Sequence, residues 1–143
     1  MEKEFVPNEQ AIALKELGFD EPCFMSYRGK FDLYRKGIGG YLSEMSMERN
    51  SDLDKYEINK REQYWISAPT YRQAFSFFRE KYKLKGDVRH ANSNGTYTYT
   101  IWRWNFDNNI GKWQRIGVIH SWNDYEEAEL ACLIKLIEIV KNK

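Results

Sequence analysis

The amino-acid sequence predicts an α+β fold: an antiparallel sheet with three helices packed mainly on one face. Three segments have helical apolar spacing and capping residues at their ends. The segments between them are rich in β-branched and aromatic residues and are bounded by turn residues. The predicted C-terminal half runs helix, two or three strands, helix. The length of 143 residues fits one domain, residues 1–143, with a subdivision into 1–66 and 67–143 as the alternative.

The first predicted helix begins near Asn8, whose side chain we expect to cap it, and ends at Gly18. If Gly18 adopts the left-handed conformation that ends many helices, Leu14 and Phe19 become the hydrophobic pair of a Schellman motif. The inward-facing stripe of this helix is predicted to consist of Ala13, Leu14 and Leu17.

Two short strands follow the first helix. Residues 23–27 and 31–34 are typical of a hairpin closed by a turn at 28–30. The glycine-rich residues 37–40 interrupt the pattern. Residues 43–59 are interpreted as irregular or as a short strand pair.

The second helix has the clearest pattern in the chain. Residues 67–70 open it, and Thr70 and Gln73 have the spacing of a capping box. Its apolar stripe is predicted to consist of Tyr71, Ala74, Phe75, Phe78 and Tyr82.

Strands are predicted after this helix. Residues 96–104 are β-branched or aromatic almost throughout, and residues 107–111 have the composition of a turn. Residues 112–120 are expected to return as the partner strand. A third strand is predicted near residues 87–91.

The last helix is predicted over residues 125–141, with Ser121 or Asn123 as its cap. Its apolar face is too wide to be covered by one sheet face alone. We therefore expect a second neighbour, either another helix of this chain or a second copy. The chain is predicted to be a monomer, or a homodimer through this helix.

The sequence indicates an intracellular protein. No apolar run follows the basic N-terminal residues, and no segment approaches the ~18 apolar residues of a membrane span. Cys23 and Cys132 are far apart and lie in apolar segments, so we expect two reduced core thiols. These features predict a cytoplasmic protein without a membrane partner.

The residue types of common active sites are poorly represented. His90 and His120 have no further ligand at metal-binding spacing, so neither a metal nor another cofactor is predicted. Cys132 lies in an apolar helix, where a thiol is inert. Glu126 and Glu127 are interpreted as complementing the helix dipole. A protein that is not an enzyme is favoured, and an enzyme with an unrecognised site is the further hypothesis.

The charge is unevenly distributed along the chain. The formal net charge is +1, yet residues 67–122 hold nine basic and three acidic side chains. The same segment carries four of the five tryptophans. Alternation along the strand places Tyr97, Tyr99, Ile101 and Arg103 on one face and Trp102, Trp104 and Phe106 on the other. Both faces therefore carry aromatic residues.

Cations interleaved with exposed aromatic rings bind nucleotides or single-stranded nucleic acid by phosphate attraction and base stacking. The candidate ligand-binding residues are Arg103, Trp104, Lys112, Trp113 and Arg115. In the competing interpretation the rings are core and the cations are solvated. Exposure of the strand face opposite the helices decides between the two.

Three segments, residues 5–24, 67–82 and 125–141, resemble a family of small uncharacterised proteins found in bacteriophages and prophages of Bacteroidota. They coincide with the three predicted helices. The resemblance implies an origin in a mobile element and assigns no activity to particular residues.

The sequence thus predicts a small phage-derived accessory protein that binds a host or phage macromolecule without enzymatic activity. The alternative is a nucleotide or single-stranded nucleic-acid binder that uses the basic, aromatic strand face.

Overall fold

The computed structural model describes residues 2–28, 32–35, 49–53, 65–91, 95–107, 110–116 and 120–142. The chain divides into two compact units, Met1–Gln73 and Ala74–Lys143. The division falls near the alternative boundary after residue 66 and inside the second long helix. The α+β class is confirmed, and the described strands form two three-stranded antiparallel sheets, one in each unit.

The first unit contains a short 3-10 helix followed by two helices and three strands. These are α1 (Asn8–Glu16), β1 (Met25–Arg28), β2 (Asp32–Arg35), α2 (Asn50–Leu53) and β3 (Trp65–Ala68). The β1–β2 hairpin was predicted, and β3 was not. The last two residues of β3, Ser67 and Ala68, fall in the segment 67–70 that was interpreted as the opening of a helix. Residues 37–40 and most of residues 43–59 lie outside the described part of the chain.

The ends of α1 differ in how well the sequence predicted them. Pro7, not Asn8, occupies the N-cap position, and no side chain caps this end, so the Asn8 cap was wrong. The Schellman motif is confirmed. Gly18 has φ 94°, the Phe19 N–H donates to the Leu14 carbonyl at 2.9 Å, and Leu14 and Phe19 are both buried.

Buried polar contacts position the short α2. Asn50 is buried, and its Nδ2 donates to the Phe19 carbonyl at 2.8 Å. Its Oδ1 accepts from the Ser67 N–H at 2.9 Å. One amide thereby joins the end of the α1 motif to β3. Ala11 and Leu14 are the buried residues of α1, whereas the predicted Ala13 and Leu17 are only half-buried.

The second long helix, α3 (Tyr71–Lys81), begins with the predicted capping box. The Gln73 N–H donates to Thr70 Oγ1 at 3.3 Å, and the Thr70 N–H donates to Gln73 Oε1 at 3.1 Å. The predicted stripe needs one change. Phe77 is buried, while Phe75 and Tyr82 are half-buried.

The remaining elements of the second unit are β4 (Leu84–Ala91), β5 (Thr96–Asp107), β6 (Ile110–Arg115) and α4 (Tyr125–Lys141). The strands lie in the order β4-β5-β6 and are antiparallel. The predicted order of helix, strands and helix is confirmed, and α4 has the predicted bounds. The cap of α4 is Asp124, whose carboxylate accepts from the Glu126 N–H at 3.0 Å, so Ser121 and Asn123 were wrong. The sheet strands are longer than predicted at β4 and β5.

The wide apolar face of α4 packs on β4 and β5. Its buried residues are Ala128, Cys132, Leu133, Leu136 and Ile137. Gly86 of β4 lies directly beneath the helix, and a Cβ built there would come 2.7 Å from Cys132 Sγ, 3.2 Å from Leu136 and 3.3 Å from Phe75 of α3. Phe75 of α3 thus lies close to the same glycine as α4. Pairing of two copies through α4 stays a prediction.

Cys23 and Cys132 are both free and buried, as predicted. Burial raises the pKa of each thiol to about 12. Among the helices of the described residues, none is long and apolar enough to cross a membrane.

Candidate nucleic-acid interface

The two faces of the β4–β6 sheet have different surroundings. The face under α4 carries Leu84, Tyr99 and Ile101, all buried. Trp102 and Trp104 alternate onto the opposite face, as the sequence predicted. Cross-strand pairing adds Trp113 and Arg115 of β6 to that face, opposite Trp104 and Trp102 respectively.

We call the rings of Trp104, Phe106 and Trp113 the aromatic cluster. The Trp104 and Trp113 centroids are 5.2 Å apart with planes at 68°, and those of Trp104 and Phe106 are 6.1 Å apart at 80°. Gly111 lies beneath, because a Cβ built there would overlap three atoms of the Trp104 indole. The Trp104 ring therefore covers Gly111 and is flanked by two steeply inclined rings.

The exposed aromatic rings lie at one end of this face. Thr98 and Thr100, earlier on the same side of β5, are buried. Trp104 and Trp113 are half-buried, and Phe106 is 76% exposed. The sequence left open whether the strand face opposite the helices is exposed. On that face the exposed aromatic surface is formed by the C-terminal end of β5 together with β6.

The structure brings together only part of the predicted candidate set. Trp104, Trp113 and Arg115 share the exposed face. Arg103 and Lys112 point to the other side, because the register pairs Arg103 with Gln114 and Lys112 with Asn105. Arg103 is half-buried, and its buried Nε has no hydrogen-bond partner within the described residues. It does not belong to the aromatic cluster.

Lys112 rejoins the site at an open groove of about 670 Å³, which is lined by β6 and the end of β5. We call it the β6 groove. Its lining residues are Asn105, Phe106, Lys112, Trp113, Gln114 and Arg115. Consecutive residues of one strand line it, so both faces contribute at the edge. Among the described residues of this lining, two are cations and none is a carboxylate, so their net charge is positive.

Asn105 and Gln114 are site residues that sequence reasoning missed. They form a cross-strand pair of amides in which Asn105 Nδ2 donates to Gln114 Oε1. Neither residue is aromatic or charged, so the composition signal that selected the candidates did not reach them. Strand pairing alone places them in the groove.

The acidic residue nearest to the aromatic face in the sheet register is already paired. Asp87 of β4 forms an ion pair with Lys85, with 3.5 Å between Asp87 Oδ2 and Lys85 Nζ. Both residues lie on the face that carries Trp102. Their charges largely cancel. Arg115 on the far strand is exposed, and the ion pairs found within the described residues do not involve it.

Other chemistry is weakly supported by the described residues. No group of three His, Cys, Asp or Glu side chains among them could hold a metal ion. The rings of His90 and Tyr97 are tilted by 35°, with centroids 4.4 Å apart. Those of His120 and Trp122 meet edge to face, with centroids 6.0 Å apart. Both buried thiols are protonated at neutral pH, since their pKa is raised to about 12.

Comparisons with known proteins add no assignment: no family model, no curated protein and no solved structure matches the chain.

Proposed function

We propose that this protein is a non-enzymatic binding protein whose ligand is single-stranded nucleic acid, held at the aromatic cluster and the β6 groove. The observation that carries the proposal is the coincidence of exposed rings with positive charge. Phe106 is 76% exposed beside two half-buried tryptophans, and the described residues that line the groove, among them Phe106 and Trp113, include two cations and no carboxylate.

Both halves of that combination are required for such a ligand. Stacking of a base on an aromatic side chain contributes about 1–3 kcal/mol and tolerates any sequence, because every base has a π-face. Exposed cations attract the phosphates in a salt-dependent way. A duplex keeps its bases stacked inside, so rings on an open sheet favour the single-stranded form.

The biological setting belongs to the same proposal. We infer a phage-derived accessory protein acting in the host cytoplasm, supported by the resemblance of residues 5–24, 67–82 and 125–141 to the bacteriophage family. Protonated thiols and the lack of a metal-binding cluster among the described residues support a binding role over catalysis.

The test is binding of a short, fluorescently labelled single-stranded oligonucleotide at low and high salt, followed by anisotropy. Trp104→Ala removes the ring over Gly111 and should weaken binding about tenfold or more, with the salt dependence unchanged. Phe24→Ala is the matched control, because Phe24 is 46% exposed in the first unit, outside the site. Melting curves verify that both variants fold.

Two results would reject the proposal. One is the absence of oligonucleotide binding at low salt. The other is binding that Trp104→Ala and Phe24→Ala weaken equally.

A further inference from the structure

The hydrogen-bond pattern of β5 determines which backbone groups of β6 face outward. The Trp104 N–H donates to the Lys83 carbonyl at 3.0 Å, on the β4 side. The Ile116 N–H donates to the Ile101 carbonyl at 2.8 Å, on the β6 side. Successive residues of an antiparallel strand bond to alternate sides. Trp104 and its partner Trp113 therefore form a pair that is not hydrogen-bonded to each other.

The same alternation fixes the other residues of β6. Lys112 and Gln114 bond to β5, whereas the N–H groups of Gly111, Trp113 and Arg115 point away from it. Within the described residues β6 pairs with β5 alone. The N–H groups of Trp113 and Arg115, two residues that line the β6 groove, therefore have no strand partner within the described residues.

Two cations flank those donors. Lys112 and Arg115 are both exposed and lie on opposite faces of β6, three positions apart, or about 10 Å along the strand. The outward N–H groups of Trp113 and Arg115 lie between them or beside them. Backbone N–H groups together with a cationic side chain are the donors that bind phosphate oxygens.

We propose that the outer edge of β6 is a phosphate-binding position and that the site takes one nucleotide unit. The base stacks on Trp104, and the phosphate accepts hydrogen bonds from the N–H group of Arg115 and from the Lys112 and Arg115 side chains. This proposal rests on the proposed function and deepens it. The backbone of a bound strand then crosses the sheet edge instead of running along the sheet face.

An extended peptide would also use an open strand edge, through alternating N–H and C=O groups. Two cations and no carboxylate occur among the described residues of the lining, and this composition favours an anion. A nucleotide unit uses both the cations and the neighbouring indole, whereas a peptide backbone needs neither.

The first experiment varies the ligand and leaves the protein unchanged. Adenosine, adenosine monophosphate and a methylphosphonate oligonucleotide, whose backbone is neutral, compete with the labelled oligonucleotide. We expect the monophosphate to compete about tenfold or more better than adenosine, and the neutral strand to compete poorly. Equal competition by adenosine and its monophosphate, with binding still dependent on Trp104, would overturn the phosphate position and leave the proposed function standing.

The second experiment separates the backbone from the side chain at Arg115. Arg115→Ala removes the guanidinium, and Arg115→Pro also removes the outward N–H. Proline is tolerated on an edge strand where the N–H faces solvent. We expect the proline variant to bind the monophosphate about threefold to tenfold more weakly than the alanine variant. Equal affinities of the two variants would contradict a role for this N–H.

Folding is checked by melting, with Gln114→Pro as the reference. Its N–H bonds to β5, so this substitution should lower the melting temperature clearly, whereas Arg115→Pro should not. If Arg115→Pro also fails to fold, the inferred direction of the Arg115 N–H is wrong and the edge assignment is overturned.

Discussion

Two glycines of the second unit, Gly86 and Gly111, both lack a Cβ where another side chain approaches closely, but they lie on opposite faces of the sheet. Each lies in a strand, and at each a Cβ would collide with a neighbouring side chain. At Gly86 the neighbours are Cys132 and Leu136 of the buried face of α4. At Gly111 the neighbour is the half-buried indole of Trp104.

The difference shows that a glycine in a strand marks a close approach without saying what approaches. At Gly86 it permits a helix to pack tightly on the sheet, which is a contribution to stability. At Gly111 it permits an aromatic ring to lie across an exposed strand, an arrangement known from edge glycines covered by aromatic residues. A substitution at Gly86 should therefore lower the unfolding free energy, and a substitution at Gly111 should weaken ligand binding.

The largest effect is expected on the buried side, where the Cys132 thiol lies close to Gly86. Raising the pH should lower the unfolding free energy through this thiol. Burial raises the Cys132 pKa from 9.0 to about 12. Above pH 9 the unfolded chain releases the thiol proton while the folded chain retains it. The contribution of this thiol to the unfolding free energy should therefore be fully present below about pH 9. It should then fall by about 1.4 kcal/mol per pH unit up to the folded pKa.

Cys132→Ala is the control for this pH effect. Denaturant unfolding of both proteins from about pH 8 to about pH 10.5 should show a shallower decline in the variant, since Cys23 and the other titrating groups are common to both. Identical slopes would mean that the Cys132 thiol is not buried as described.

Gly86→Ala should have the next largest effect. A methyl group 2.7 Å from Cys132 Sγ must displace a short side chain in the interior. Overpacking of this kind lowers the unfolding free energy by about 1–3 kcal/mol. Urea unfolding at neutral pH measures it, and oligonucleotide binding by the folded variant should be unchanged.

A double-mutant cycle with Cys132→Ala shows whether the sulfur causes the loss. Removing the sulfur makes room for the new methyl group, so the double variant should be more stable than the sum of the two single changes predicts. Simple additivity would point to Leu136 or to the backbone as the source of the strain.

Gly111→Ala should have the smallest effect on stability, about 1 kcal/mol or less, because the half-buried Trp104 indole that it displaces can move toward solvent. The new methyl group lifts the Trp104 ring from its position over the strand. Oligonucleotide affinity should fall about tenfold, and the salt dependence should stay, since no charge changes. Unfolding and anisotropy titrations on the same sample measure both quantities.

Unchanged affinity in Gly111→Ala would contradict stacking on Trp104 in the described position. A loss of stability as large as that of Gly86→Ala would show that the indole acts as core.

Features that depend on near neighbours in the chain were predictable. The Schellman motif at Gly18 and the capping box at Thr70 and Gln73 each use contacts within five residues, so their residue types and spacing suffice. The bounds of α4 follow from its long apolar pattern. Alternation along β5 correctly separated Ile101 from Trp102.

Features that depend on pairing between distant segments were not predictable. The short β3 has no pattern of its own and is held by its register with β1. Alternation alone puts the adjacent Lys112 and Trp113 on opposite sides of the sheet, yet only the register with β5 shows that Trp113, and not Lys112, shares the face of Trp104. Grouping them as one surface, together with Arg103, ignored this parity. The β6 groove joins Lys112 to the aromatic cluster at the edge, whereas Arg103 stays apart.

The open edge of β6 also affects how copies of the chain meet. An unpaired strand edge is a template for pairing with a second chain. Lys112 and Arg115 lie along this edge, so two copies paired there would bring two lysines and two arginines together. The cations would oppose such pairing between free copies. If the proposed ligand neutralises them, this repulsion is removed, and self-association of the protein would be linked to its crowding on a nucleic-acid strand through the same two side chains.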